Sequence, residues 1–334
     1  MQHFASGKKK STRGRAVGSR TALSIVAVLL ALSAGLYLLL GGRAASVIRG
    51  VTLGGTPAVA GKVSVVTSFY PLYYFASRVG GDHATVTNIT PAGAEPHDYE
   101  PTAQDVAGME DSRLVILLGT GLESWGSRMA ANLDPQRTLL VTVGQDLMTG
   151  NVTENGQGVV DPHVWLSPPL AKQIVDRIAD AYVKVDAPDT ASFRANAAAL
   201  KNDLDSLDAD YRKGLASCAK KDIVTSHAAF GYLAKTYGFN QVSIAGLSPD
   251  AEPSPKDLAD ITAFVREHKV AILFFESLVS PKLSETIATE TGAKTLVLDP
   301  IEGLQQDALL QGQDYLSVMR NNLANLRAAL QCRM

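Results

Sequence analysis

The chain has 334 residues, 31 basic and 33 acidic side chains and a formal net charge of −2, a length that suits roughly two domains. A hydrophobic content of 46% excludes a disordered chain, and the lack of a basic excess argues against a nucleic-acid partner. Two cysteines, Cys218 and Cys332, and no C-x-x-C pair exclude a zinc finger and a disulfide-framework domain.

The near-neutral charge is an average over two unlike parts. The first sixty residues hold eight basic and no acidic side chains, six of the eight before residue 21. Residues 1–20 therefore read as a basic cytoplasmic leader by the positive-inside rule. Residues 21–40 (TALSIVAVLLALSAGLYLLL) carry no charge and are long enough to cross a hydrocarbon core as a helix. Signal-peptide cores are shorter, which favours an uncleaved anchor, although Ala58-Val59-Ala60 supplies a cleavage-like site. Both versions place the rest of the chain outside the cytoplasm, anchored to the membrane or secreted to the periplasm or cell surface. The Gly-rich residues 41–61 read as a flexible tether. From residue 61 onward, 33 acids face 23 bases, an acidic exported part compatible with attracting cations.

From Lys62 the chain alternates short apolar or β-branched runs with helical patterns. The runs are Val63–Thr67, Ala84–Ile89, Leu114–Leu118, Leu139–Val143, Asp222–Thr225, Gln241–Ile244, Val270–Phe275 and Thr295–Leu298. Such alternation predicts βαβ units and mainly parallel sheets, an α/β fold. Pro168-Pro169 opens a helical pattern through Lys184, proline being tolerated in a first helical turn. Asp189 or Thr190 then caps a long helix, with Phe193, Leu200, Leu204, Leu207, Tyr211 and Leu215 on one face. Four runs precede that helix and four follow it. The division predicts an N-terminal lobe over 62–188, a connecting helix over 189–217 and a C-terminal lobe over 218–334. A surface helix of one large domain is the alternative. Outside the cytoplasm Cys218 and Cys332 are expected to pair, pinning the terminal helix to the second lobe; two inert buried thiols are the other reading.

Three of six histidines stand out, and at least two of them, His97 and His227, sit where α/β folds place ligands, beyond strand ends, while His163 sits just before a helix. His97 lies in Glu95-Pro-His-Asp-Tyr-Glu-Pro101, His163 in Asp161-Pro-His-Val-Trp-Leu-Ser-Pro168, and His227 directly follows Asp222–Thr225. Leu298-Asp-Pro-Ile-Glu-Gly303 adds Asp299 and Glu302 at a further strand end. Three imidazoles and a carboxylate suit Zn2+, and Mn2+ less strongly. Spacing alone leaves the bland reading open, that these are ordinary loop histidines, since no local motif such as H-E-x-x-H unites them.

Together these four segments resemble the signature motifs of the zinc/manganese solute-binding proteins of bacterial metal ABC importers, the cluster A-I or TroA-like family. The resemblance runs from about Val63 to the C-terminus. It implies two α/β lobes joined by one rigid helix, with a metal ion between the lobes and delivery to membrane permease subunits. Residue by residue it implies His97, His163 and His227 as ligands, with Glu302 preferred over Asp299 as the fourth. Histidine at 227, where manganese-type members often carry glutamate, leans to Zn2+. Glu95 is a further acid able to cap or ligate, and Glu95 or Asp98 to orient rings. Two departures stand out: residues 146–160 hold no histidine, unlike the His-rich loop of many zinc members, and no cysteine follows the apolar segment as a lipid acceptor.

The resulting expectation is a monomeric, extracytoplasmic metal receptor rather than an enzyme. The alternatives are a manganese receptor, a zinc hydrolase with Glu95 or Glu302 as base, and an adhesin. No nucleophile elbow or H-E-x-x-H supports hydrolysis, and no repeat supports adhesion.

Overall fold

The computed structural model describes residues 61–333 apart from 155 and 156. The predicted leader, the membrane segment and all but the last residue of the tether lie outside the described residues. None of the described helices is long and apolar enough to cross a membrane.

The first lobe starts with β1 (Val63–Thr67), α1 (Tyr70–Gly80), β2 (Ala84–Asn88), α2 (Ala103–Asp111) and β3 (Leu114–Leu117). It continues with α3 (Gly126–Asn132), β4 (Leu139–Thr142), the strands β5 (Asn151–Glu154) and β6 (Gln157–Val160), and α4 (Pro168–Val185). The connecting helix is α5 (Thr190–Leu215). The second lobe holds β7 (Asp222–Thr225), α6 (Gly231–Tyr237), β8 (Asn240–Ser243), α7 (Pro255–Glu267) and β9 (Ile272–Phe275). It closes with α8 (Lys282–Thr291), β10 (Lys294–Val297), α9 (Gln306–Leu310) and α10 (Tyr315–Ala329).

Two four-stranded parallel sheets carry the lobes, ordered β2-β1-β3-β4 and β10-β9-β7-β8. Counted within its lobe, each sheet runs second, first, third, fourth strand, so both lobes share one topology. Strand β3 is buried throughout, as expected of a central parallel strand covered on both faces. Helix starts follow local chemistry: Thr102 with Asp105, Ser254 with Asp257, and Asp314 with Ser317 form reciprocal caps, each satisfying amides that a first turn leaves unpaired.

Helix α5 spans 26 residues, about 39 Å at 1.5 Å per residue. Its predicted face, Phe193, Leu200, Leu204, Leu207, Tyr211 and Leu215, is buried. The face serves both lobes. Asn196 donates to the Val79 carbonyl of α1 at 3.0 Å, and the Tyr211 hydroxyl donates to the Met319 carbonyl of α10 at 2.7 Å. One apolar core runs across the junction and includes Phe69, Trp165, Phe230, Ile301 and Tyr315. Cys218 and Cys332 are disulfide-bonded, fixing the segment after α10 beside the end of α5.

The stretch 146–160, read in sequence only as a loop without histidine, contains the antiparallel pair β5 and β6. Its base is tied to the second lobe: the Tyr232 hydroxyl accepts from Gly150 N at 2.9 Å and donates to the Asp161 carbonyl at 3.0 Å.

Candidate metal centre

Strand ends from both sheets meet at one point. His97 follows β2, His227 follows β7 and Glu302 follows β10, while His163 lies just beyond β6 at the start of a short turn. These four form a group whose donor atoms all lie within 4.8 Å of one another, three of them buried and His97 half-buried. Glu302 Oε1 sits 3.1 Å from His97 Nε2, 2.9 Å from His163 Nε2 and 3.3 Å from His227 Nε2. His163 Nε2 is 3.3 Å from the Nε2 atoms of both His97 and His227. Donors at 2.0–2.1 Å around tetrahedral zinc would be spaced about 3.3–3.4 Å apart, so these separations are those of a slightly contracted zinc shell. Glu302 Oε2 is buried and has no hydrogen-bond partner among the described residues, an acceptor that a cation would satisfy.

Two acids fix the rings. Asp161 Oδ1 accepts from His163 N at 2.9 Å and lies 2.8 Å from His163 Nδ1. Glu276 Oε1 lies 2.7 Å from His227 Nδ1 and also accepts from Ser226 Oγ. A carboxylate on Nδ1 holds the proton there and leaves the Nε2 lone pair directed into the tetrad. Glu95 and Asp98 were the acids expected in this role. Glu95 instead accepts the His97 backbone N–H at 3.2 Å, capping the turn that carries His97. Asp161 had a local signal, standing two residues before His163. Glu276 had none, since it reaches His227 only because β9 lies beside β7 in the sheet.

The electrostatics follow from burial and proximity. Burial pushes Glu302 up, but His227, His163 and His97 more than reverse this and hold its carboxyl well below the usual range. Burial pushes both imidazoliums down, and their carboxylates outweigh it. His163 is raised by Asp161 and Glu302, and His227 is raised well above its ordinary value by Glu276 and Glu302. Glu95 is pushed up to about 9, first by burial and then by the Glu302 charge.

Of the five residues expected to ligate, His97, His163, His227 and Glu302 come together and Asp299 does not. Its oxygens are engaged elsewhere: Oδ2 accepts from Ser277 Oγ, and Oδ1 accepts from Ile301 N at 2.7 Å. Burial, opposed by those two bonds, raises its carboxyl to about 6.

Two helix-linked α/β lobes with a buried three-imidazole, one-carboxylate tetrad between them define a two-lobed solute-binding protein with a metal-type site. A family model described as zinc-uptake complex component A, periplasmic, matches residues 65–329, and the chain belongs to that family. Among curated relatives, the zinc-binding lipoprotein AdcA of Streptococcus pneumoniae is 41% identical over 279 residues, covering 80% of this chain and 56% of AdcA. The chain thus spans about half the length of the AdcA relatives it matches. The high-affinity zinc uptake system protein ZnuA of Bacillus subtilis is 37% identical over 290 residues, covering 84% of this chain and 91% of ZnuA. Among solved structures, the Zn(II)-bound ZnuA-like domain of S. pneumoniae AdcA superposes with a TM-score of 0.71 at 40% identity, covering 81% of this chain and 99% of that one.

Proposed function

We propose that this chain is the extracytoplasmic receptor of an ABC-type importer, binding Zn2+ through His97, His163, His227 and Glu302 and delivering it to permease subunits in the membrane. The observation that carries this reading is the tetrad: three imidazoles and one carboxylate with donor atoms within 4.8 Å of one another, five of the six pairs 2.9–3.3 Å apart, close to the spacing in a tetrahedral shell. Zinc takes imidazole and carboxylate donors in that geometry, whereas manganese favours octahedral, oxygen-rich sets. Names of the relatives, a zinc-binding lipoprotein and a zinc uptake protein, support the same ion. Four protein donors leave no open position for a water nucleophile, which favours carriage over hydrolysis.

In this reading residues 1–20 are the leader, 21–40 the anchor or signal segment and 41–61 the tether. Lobes over 62–188 and 218–334, joined by the helix over 189–217, present the ion as a monomer. Titration calorimetry tests the proposal. The wild-type chain is expected to bind one Zn2+, and to bind it more tightly than Mn2+. His97→Ala, His163→Ala, His227→Ala and Glu302→Gln should each weaken zinc by more than the roughly 10–100-fold typical of losing an orienting partner. Unchanged affinity in all four variants, or a preference for Mn2+, overturns it.

A further inference from the structure

The segment that delivers Glu302 is irregular and buried, and side chains from elsewhere satisfy its backbone. Asn322 of α10 makes a two-pronged contact with Asp299: its Oδ1 accepts from Asp299 N at 2.9 Å, and its Nδ2 donates to the Asp299 carbonyl at 2.7 Å. Trp165 Nε1 donates to the Pro300 carbonyl at 2.8 Å. The Asp299 carboxylate turns back to accept from Ile301 N, and Ser277 Oγ holds its other oxygen. Buried backbone groups need such partners, but this set does more than satisfy them. Ile301 has φ of 59°, a left-handed conformation that is a genuine outlier for a β-branched residue. Strain of this kind persists only where the surroundings over-determine it. Glu302 is the next residue.

We propose that Asn322, through Asp299, is a positioning residue for the metal site: it clamps residues 299–301 so that Ile301 is held left-handed and Glu302 is aimed at the three histidines. The proposal rests on the receptor reading above. Asn322 is almost fully buried, as are Asp299, Ile301 and Glu302. Its helix is anchored independently of the site, by the Tyr211 hydroxyl on Met319 and by the disulfide just beyond its end. The terminal helix therefore acts as a fixed post against which the ligand segment is braced. Asp299 belongs to the brace, which accounts for an acid so near the tetrad having no free oxygen to ligate.

Zinc dissociation constants of the full chain, measured by chelator competition at pH 7.5, test this. Asn322→Leu should weaken zinc by about 10–100-fold, and Glu302→Gln added to it should cost at least about tenfold less than in the wild type, because residues acting as a unit are non-additive. Tyr211→Phe, which loosens the same helix without touching the segment, should stay within about threefold of wild type. Asp299→Asn keeps an oxygen for Ile301 N and should also stay within about threefold, whereas Asp299→Ala should fall with Asn322→Leu. Where Asn322→Leu fails to fold, Asn322→Asp decides the matter: it keeps the acceptor for Asp299 N but loses the donor to the Asp299 carbonyl, so it should weaken zinc by about tenfold, and a constant within about threefold of wild type overturns the clamp. The clamp is overturned by Asn322→Leu within threefold of wild type, by an unchanged Glu302→Gln penalty, by a Tyr211→Phe loss as large as that of Asn322→Leu, or by an Asp299→Asn loss as large as that of Glu302→Gln. A wild-type chain that takes up neither zinc nor manganese overturns the receptor reading and the clamp with it. Binding by the wild type with equal binding by Asn322→Leu overturns the clamp alone.

Discussion

Replacing Asp161 by Ala isolates the part of metal affinity that comes from ring orientation. Asp161 is 3% exposed and makes no contact with the tetrad except through His163, accepting its backbone N–H and its Nδ1–H. In the variant the Nδ1–H is left without its acceptor in a fully buried ring, a cost of about 1–3 kcal/mol. The alternative tautomer removes that cost but places a proton on Nε2, where the ion must bind. Either route lowers affinity by about 10–100-fold, or about 1.4–2.7 kcal/mol. The pH dependence has a definite sign. Burial lowers the His163 imidazolium, and Asp161 is the first of the groups that more than reverse this. Without Asp161, protons compete less well for His163, so the variant loses less affinity than wild type as the medium acidifies. Chelator competition at pH 7.5 and pH 6 should give a variant-to-wild-type ratio of dissociation constants that shrinks toward the lower pH. Equal affinity at pH 7.5 would refute the argument. So would full multiplicativity of Asp161→Ala with His163→Ala, since Asp161 would then act on something other than that ring.

Raised imidazoles at His163 and His227 also mean that an incoming ion displaces protons. Zinc calorimetry near pH 6.5 in buffers of different ionisation enthalpy should register at least about one proton released per ion, and a slope of zero would contradict the protonated tetrad. Metal-free stability should carry the opposite pH trend to zinc affinity. The histidine contribution is present below the ordinary histidine value of about 6.5 and is lost as pH rises through the raised folded values. That of Glu302, whose folded value is depressed, is lost only as pH falls through it. The increase in melting temperature on adding zinc should therefore grow between pH 6 and pH 8, and a constant increase would count against this assignment. Replacing both Cys218 and Cys332 by Ser opens a loop with a sequence separation of 114, costing up to about 5 kcal/mol in the chain-entropy model. Urea unfolding that shows no loss would mean the terminal helix is held by packing alone.

Regular elements were legible because their signals are local. All eight parallel strands fall within two residues of the apolar runs that predict them, and α5 follows its 3.6-residue stripe from Phe193 to Leu215. The hairpin strands β5 and β6 went unread although the sequence holds a cue, an Asn-Gly pair at 155–156 between residues of alternating polarity. The histidines of the tetrad stood out by their loop positions near strand and helix ends, and family resemblance implied their convergence. Choosing between Asp299 and Glu302 needed the backbone: with Ile301 left-handed, one carboxylate turns inward to the ions' place and the other to its own chain. Glu276 and Asn322 were illegible because each acts across more than twenty residues of chain, through strand order in one case and helix packing in the other.

The position of the tetrad follows from that packing more than from the ligands themselves. His97 and His163 belong to one lobe, His227 and Glu302 to the other, and apolar side chains close the space directly behind them. Trp165 lies two residues past His163, packs edge-on against Phe69 and holds the Pro300 carbonyl, while Tyr315 from α10 donates to the Trp165 carbonyl at 2.5 Å. The relative placement of the two ligand pairs is thus set by one continuous core. The Glu302 oxygen already sits among three ring nitrogens. A cation would therefore enter a frame already built, and the conformational cost that usually erodes affinity is met during folding.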